Sequence, residues 1–305
     1  MSEAALFDTV KYKTRKMEPG DSFPESLYPE ILRGINSFPK VLFYKGDIVT
    51  GLFDNCVAVV GSRNMTMYGR TVTRNLVSAL CAGGITVVSG FMYGIDATAH
   101  ASCVEFGGKT VAVMPCGIEM IHPPRQKDLY MDILQNGGLV LSEYDEEFPP
   151  CVWTYPRRNR IVAGLCKAVL VVEAGEDSGS LITAGFARKY GRRVMAVPGP
   201  VTSLVSAGTL KLIKEGADMV CSAEDLMRLL GHGKGQVIGE HFVETIENNL
   251  NKLSTKIISV LGKEPLDISM LSKILEIDIP LLSVEMTNLS LAGVICEREG
   301  MYYVS

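Results

Sequence analysis

The densest basic run in the chain is Tyr155-Pro156-Arg157-Arg158-Asn159-Arg160, with Trp153 just upstream. Three guanidinium groups beside two aromatic rings combine phosphate pairing with base stacking, the combination that holds single-stranded nucleic acid. Stacking of this kind contributes ~1–3 kcal/mol per base and barely depends on which base is present. The plain alternative is a solvated helix N-terminus. Cations there oppose the helix macrodipole, so the cluster asks for an anionic partner.

Three glycine-containing turns offer further anion chemistry. Gly61-Ser62-Arg63 follows an apolar run. The glycine lets backbone approach a ligand, the hydroxyl can donate to a phosphate oxygen, and the guanidinium can fork onto it. A bare turn with a solvated arginine fits that tripeptide equally well. Ser89-Gly90-Phe91-Met92-Tyr93-Gly94-Ile95-Asp96 comes next, with His100 four positions on. A helix beginning near Gly94 would present free N–H groups, where anions settle. Asp96 and His100 share a face at i, i+4. With no Ser or Cys nucleophile beside them, Asp96 is read as capping the helix and orienting His100 rather than as half of a catalytic pair. The third turn runs from Glu173-Ala174 through Ser178, Gly179 and Ser180 to Thr183, again small residues that can form an anion nest. It lacks the Gly-Lys-Ser/Thr ending of a Walker A loop, and no GxGxxG with a ribose-binding acid occurs, so neither ATP nor NAD is indicated and no cofactor is expected.

Composition bounds these readings. The 305 residues suit about two domains at ~150 residues each. A net charge of −4 excludes a globally basic coat, so any polyanion must meet a local patch. The eight cysteines contain no CxxC pair and the four histidines no HExxH, so no metal site is expected and the thiols read as reduced. There is no secretory signal, and the longest apolar runs are strand-sized, far below the ~20 residues of a membrane span. Membrane association is therefore not expected, and a cytoplasmic location is.

The elements that must position these groups follow from periodicity. Strand-like runs lie at 56–61, 85–90, 109–117, 138–144, 167–174, 192–199 and 218–222, several of them apolar on both faces as buried parallel strands are. Helical periods alternate with them at 68–82, 95–106, 180–190 and 204–215. The fold class is α/β, an extended Rossmann-like, doubly wound and mostly parallel sheet. In such a sheet the ligand lies beyond the carboxyl ends of the strands, where the three turns fall. Residues 1–50 read as an N-terminal leader and lead-in segment, 51–230 as the Rossmann-like domain and 231–246 as a Gly-rich linker. Residues 247–305 read as a winged helix of three helices and a hairpin turning at Glu299-Gly300. That last domain carries five basic residues against eight acidic ones, and none of the basic ones falls between Leu281 and Ala292, the would-be reading helix. Duplex binding leans on phosphate neutralisation, so a protein contact or structural role is expected of it.

Seven motifs in order resemble the DNA processing protein A (DprA/Smf) family, from about Tyr28 to the C-terminus. They are LYPEILRGINSFPKVLFYKG at 27–46, GSR at 61–63, SGFMYGIDATAH at 89–100, PCGIEMIHPP at 115–124, YPRRNRIVAGL at 155–165, EAGEDSGSLITA at 173–184 and AVPGP at 196–200. The resemblance implies sequence-independent binding of single-stranded DNA, dimerisation, and delivery of the strand to the RecA recombinase in natural transformation. Carried over by motif, Ser62, Arg63, the Gly90–Gly94 turn and Ser178–Ser180 would meet phosphate. Arg157, Arg158 and Arg160 would line the pocket, with Asn159 as an adaptable hydrogen-bonder. Members often have Phe where this chain has Tyr155, which keeps an aromatic face. The expectation is a binding protein rather than an enzyme. The rival is a nucleoside monophosphate phosphoribohydrolase-like activity, whose family uses PGGxGTxxE at the place of EAGEDSGSLITA. Here Thr183 and Ala184 stand where that motif ends, leaving Glu143 and Glu173 as the acids such a reaction could use.

Overall fold

A computed structural model describes residues 12–19, 27–232, 252–291, 294–298 and 300–304. The remainder of the leader, nearly all of the expected linker and Glu299 of the hairpin turn lie outside the described residues. The chain divides into two compact units, Met1–Gly235 and Gln236–Ser305.

Among the described residues the first unit is built on a nine-stranded sheet in the order β1 (Arg15–Met17), β2 (Leu42–Lys45), β6 (Leu139–Ser142), β5 (Thr110–Val113), β4 (Thr86–Ser89), β3 (Cys56–Val60), β7 (Ala168–Val171), β8 (Arg193–Ala196), β9 (Asp218–Met219). Its parallel strands are β3 to β9. Every residue of β3 to β7 is buried, as two helix-covered faces require. Two short strands extend the sheet antiparallel: β2 (Leu42–Lys45) pairs with β6, and β1 (Arg15–Met17) pairs with β2. The lead-in segment is thus part of the sheet, and the stretch read as leader contributes its edge.

The helices are α1 (Glu30–Arg33), α2 (Met67–Ala82), α3 (Ile95–Glu105), α4 (Lys127–Gln135), α5 (Thr154–Gly164), α6 (Gly179–Lys189), α7 (Ala207–Lys214) and α8 (Ala223–Leu229). Their ends are set locally. Thr66 caps α2 by accepting from the Gly69 N–H at 3.1 Å, and Ser222 caps α8 from the Asp225 N–H. From β3 the chain winds through β4, β5 and β6 on one side, then returns to lay β7 against the other edge of β3. The gap between the carboxyl ends of β3 and β7 is the topological switch point, where this architecture opens a crevice.

The second unit has α9 (Lys252–Leu261), α10 (Ile268–Leu275) and α11 (Ile279–Leu291), followed by the hairpin β10 (Ile295–Arg298) and β11 (Met301–Val304). Its core gathers Ile257, Leu261, Leu271, Leu282, Met286, Leu289 and Ile295. Three helices and a two-stranded wing make it a small winged-helix domain. Among the described residues no helix is long and apolar enough to cross a membrane.

Candidate nucleic-acid interface

A cleft of about 820 Å³ opens at the switch point. Twelve of the residues expected from sequence line it: Gly61, Ser62, Arg63, Gly90, Asp96, Tyr155, Arg158, Asn159, Ser178, Gly179, Ser180 and Thr183. Its β3 wall is held by backbone. The Ser62 N–H donates to the Glu173 carbonyl at 2.7 Å, and the Ser62 hydroxyl accepts from the Asn64 N–H at 3.1 Å. Gly61 has no room for a side chain, since a Cβ would stand 2.6 Å from Ile95 and 2.8 Å from the Glu173 carbonyl oxygen. Arg63 projects into solvent and forms no ion pair among the described residues. Its guanidinium carbon lies 5.1 Å from the centroid of the Tyr155 ring, and the Tyr155 hydroxyl is 2.8 Å from His122 Nε2. Burial, then the nearby Arg63 and Arg158 charges, pull the His122 pKa below its ordinary value. The imidazole is therefore neutral at pH 7, and its Nε2 can accept from Tyr155.

His122 is a member of this column that the residue types did not single out. It lies within PCGIEMIHPP, a motif noted for resemblance and given no role. The signal was a histidine beside two prolines that fix its loop.

The floor comes from the turn after β4. The Ile95 N–H donates to the Ser62 carbonyl at 3.1 Å, fastening this turn to the Gly61–Arg63 wall. Gly94 reaches that contact at φ 77° with its Cα against the Ser62 and Arg63 backbone, and supports the cleft from behind. Ser89 is fully buried, and its hydroxyl donates to the Val59 carbonyl at 2.6 Å. It braces the sheet and is placed away from the opening.

Asp96 and His100 do not pair. Asp96 accepts a long bond from the Met92 N–H at 3.4 Å, and its charge faces Arg158. His100 Nδ1 is 2.7 Å from the Thr110 hydroxyl, which itself donates to the Val87 carbonyl at 2.9 Å. Nδ1 therefore carries the ring proton. The expectation that Asp96 orients His100 is corrected: the i, i+4 spacing is present, but each side chain finds a partner from the sheet or from α5.

The arginine cluster separates. Arg158 is only 3% exposed and donates to the carbonyls of Gly90 and Val113 and to Asn159 Oδ1. Burial pulls its pKa down to about 10, while burial raises that of Asp96 against the pull of the arginine. The buried Arg158 guanidinium forms part of the cleft floor. Arg157 and Arg160 turn the other way, both ion-paired to Glu143, and line a separate cavity of about 890 Å³ with Phe38, Lys40 and Tyr144. The expectation that all three arginines line one pocket is corrected accordingly. Trp153, about half exposed, also lies outside the cleft, packed edge-on against Tyr144 and Phe148 with the Arg157 guanidinium over its ring.

The remaining wall is the turn after β7. Ser178 caps α6, its hydroxyl 2.8 Å from that of Ser180, and the Asn159 amide donates to the Gly179 carbonyl at 3.1 Å. The first turn of α6 faces the cleft with the Ser180 N–H donating to the Ser178 hydroxyl and the Leu181 N–H to the Ser178 carbonyl, so what it presents there is the positive end of the helix dipole. Glu176 and Asp177 stand exposed on its rim. Glu173 is buried, and its carboxylate accepts from the Thr66 N–H at 2.9 Å and from the Thr66 hydroxyl. Glu143 is held by two arginines. Both acids the hydrolase reading could use are engaged in holding the fold.

A sequence profile of DNA recombination-mediator protein A matches residues 22–231. Protein Smf of Escherichia coli K12 is 40% identical over 215 residues, covering 70% of this chain and 56% of that protein. The chain thus spans little more than half of that relative. DNA processing protein A of Streptococcus pneumoniae has a solved structure with a TM-score of 0.63 at 38% identity, covering 75% of this chain and 78% of that one. The protein of the same name from Helicobacter pylori, whose structure concerns its single-stranded DNA binding mode, gives a TM-score of 0.64 at 28% identity, covering 73% and 97%.

Proposed function

Because the chain belongs to the family of DNA recombination-mediator protein A, we propose that its switch-point cleft grips single-stranded DNA without regard to sequence. We further propose that the protein acts as a homodimer in the cytoplasm and passes the strand to the RecA recombinase. The observation that carries the binding reading is the column of Arg63, Tyr155 and His122 beside the first turn of α6. An unstacked base can lie on the planar guanidinium or the phenol ring, while a phosphate meets Arg63 and the positive end of the α6 dipole. A base inside a duplex is stacked on its neighbours and has no free face for such a column, so single strands are favoured.

Among the described residues the cleft holds one exposed cation and two exposed acids, so phosphate neutralisation is modest. Each phosphate contact on a single strand contributes a slope of about −0.7 in log K against log salt. Fluorescence anisotropy with oligo-dT and with a matched duplex, at several salt concentrations, tests the reading. Arg63→Ala is expected to weaken single-strand binding about tenfold or more and to flatten the salt slope by about 0.7, with Tm unchanged. Equal affinity of wild type and variant at every salt concentration would refute the assignment.

A further inference from the structure

Cys81 lies in the last turn of α2 and Cys103 in the last turn of α3, and their sulfurs are 3.5 Å apart. Both are free thiols, Cys103 buried and Cys81 partly exposed. The fold fixes this distance from two sides. Arg74 of α2 pairs with Glu105 of α3 at 2.5 Å across the surface where the two helices run side by side. Gly108 then folds back, its N–H donating to the Cys103 carbonyl at 2.8 Å, so that both sulfurs rest on its bare face. A Cβ on Gly108 would stand 2.9 Å from the Cys103 sulfur and nearer still to that of Cys81.

The two thiols are unequal. The Cys81 thiol donates to the Cys103 sulfur and the Cys103 thiol to the Lys109 carbonyl, 3.2 Å away; once Cys81 loses its proton, the Cys103 S–H can turn to it instead. Its bond to Cys81 holds the Cys81 thiol below its ordinary range, while that same bond and burial push Cys103 well above. The more exposed sulfur is therefore the better nucleophile, and a second thiol stands directly behind it. Redox-sensitive cysteines share this arrangement.

We propose that Cys81 and Cys103 are a thiol modification site that a hydroperoxide converts to a reversible disulfide. The Cys81 thiolate attacks one peroxide oxygen, the O–O bond breaks, and Cys81 becomes a sulfenic acid as hydroxide (or alkoxide) leaves. The Cys103 sulfur then attacks the Cys81 sulfur. The S–O bond breaks, the S–S bond forms, and the Cys103 proton leaves with the departing hydroxide as water. Two electrons pass from the sulfur pair to the peroxide, which is reduced to water or to water and an alcohol. The sulfurs must approach by about 1.5 Å to reach a bond of ~2.05 Å, a shift that side-chain rotation of two neighbouring cysteines can supply. The site lies at the far ends of helices whose near ends hold the 61–66 loop through the Thr66 cap and the Ile95 N–H, so it does not depend on the strand-binding reading.

The full chain treated with stoichiometric hydrogen peroxide, quenched and digested without reductant, provides the test. The expected product has lost two hydrogens, maps to a Cys81–Cys103 linked peptide, reverts with dithiothreitol, and leaves oligo-dT affinity unchanged. In Cys103→Ser the sulfenic acid is stranded, so dimedone labels Cys81 ahead of the exposed Cys221. A crosslink between other cysteines would overturn the proposal, as would oxidation of Cys221 with Cys81 and Cys103 still reduced. Peptide mapping of the unsubstituted protein decides the matter even if Cys103→Ser folds poorly.

Discussion

Replacing Arg158 with alanine removes the only side chain that reaches both the Gly90 and Val113 carbonyls among the hydrogen bonds of the described residues. Each carbonyl then lies buried without this donor, at about 1–3 kcal/mol apiece. Asp96, already raised in pKa by burial, also loses the charge that partly offsets it. Breaking a buried charge pair from one side costs about 3–5 kcal/mol, consistent with that sum. For a cooperative unit of 150–250 residues, 1 kcal/mol moves Tm by about 2–4 °C, so a fall of about 10 °C is expected. A thermal melt of the full chain, followed by circular dichroism, measures it. Anisotropy with oligo-dT at a temperature where the variant is folded separates stability from binding. Arg158→Met combined with Asp96→Asn recovers part of the loss, because it removes both charges together. Arg158→Lys does not, since one ammonium lacks the planar fork. A variant melting within about 2 °C of wild type, yet binding as poorly as Arg63→Ala, would show that this guanidinium serves the ligand and that the buried role is wrong.

Gly94→Ala sets a Cβ against the Ser62 and Arg63 carbonyls at φ 77°, and is expected to cost more than ~1 kcal/mol and weaken strand binding together. Gly191→Ala, at φ 67° with open space around it, carries only the backbone cost and leaves anisotropy unchanged; equal binding losses in both would refute the role of the Gly94 contact. His100 has its pKa pushed down to about 3 by burial from an ordinary 6.5, so between these values the unfolded chain holds the extra proton. Its contribution is complete above pH 6.5 and drains by about 1.4 kcal/mol per pH unit below it. Urea midpoints from pH 7 to 4.5 are expected to fall more steeply in wild type than in His100→Asn, and parallel curves would refute the assignment.

The fold was legible where burial is complete. The runs at 56–61, 109–117, 138–144 and 167–174 hold β3, β5, β6 and β7, whose residues are all buried, and buried strands alternating with helices at this spacing point to a doubly wound parallel sheet. Arg15–Met17 was opaque because it is three residues long with a single buried side chain, too short to show a period. The antiparallel pairing of Leu42–Lys45 with β6 was equally hidden, since a half-buried edge strand looks like any connecting segment. At the site, the glycine turns were readable because each ends a buried strand. The partners of the polar side chains were not. Thr110 takes the ring of His100 and Thr66 takes the carboxylate of Glu173 across sequence separations that no local pattern encodes.

The splitting of the arginines is the instructive case, because the information was present but demanded helical rather than linear reading. Residues on an α-helix advance by about 100° each. From Tyr155 that places Arg158, Asn159 and Val162 within about 60° of it, and all four line the cleft. Arg157 and Arg160 are likewise about 60° apart, on a different side, and both meet Glu143. Three adjacent cations that look like one patch in the sequence are thus separated by the helix into a buried brace and a two-arginine clamp. Among the described residues, the proposed reading leaves to a phosphate Arg63, from another strand's turn, and the N-terminal dipole of α6. In the proposed reading such a cleft would hold a strand by stacking and oriented dipoles more than by net charge, which is how an acidic chain could have a site fit for a polyanion.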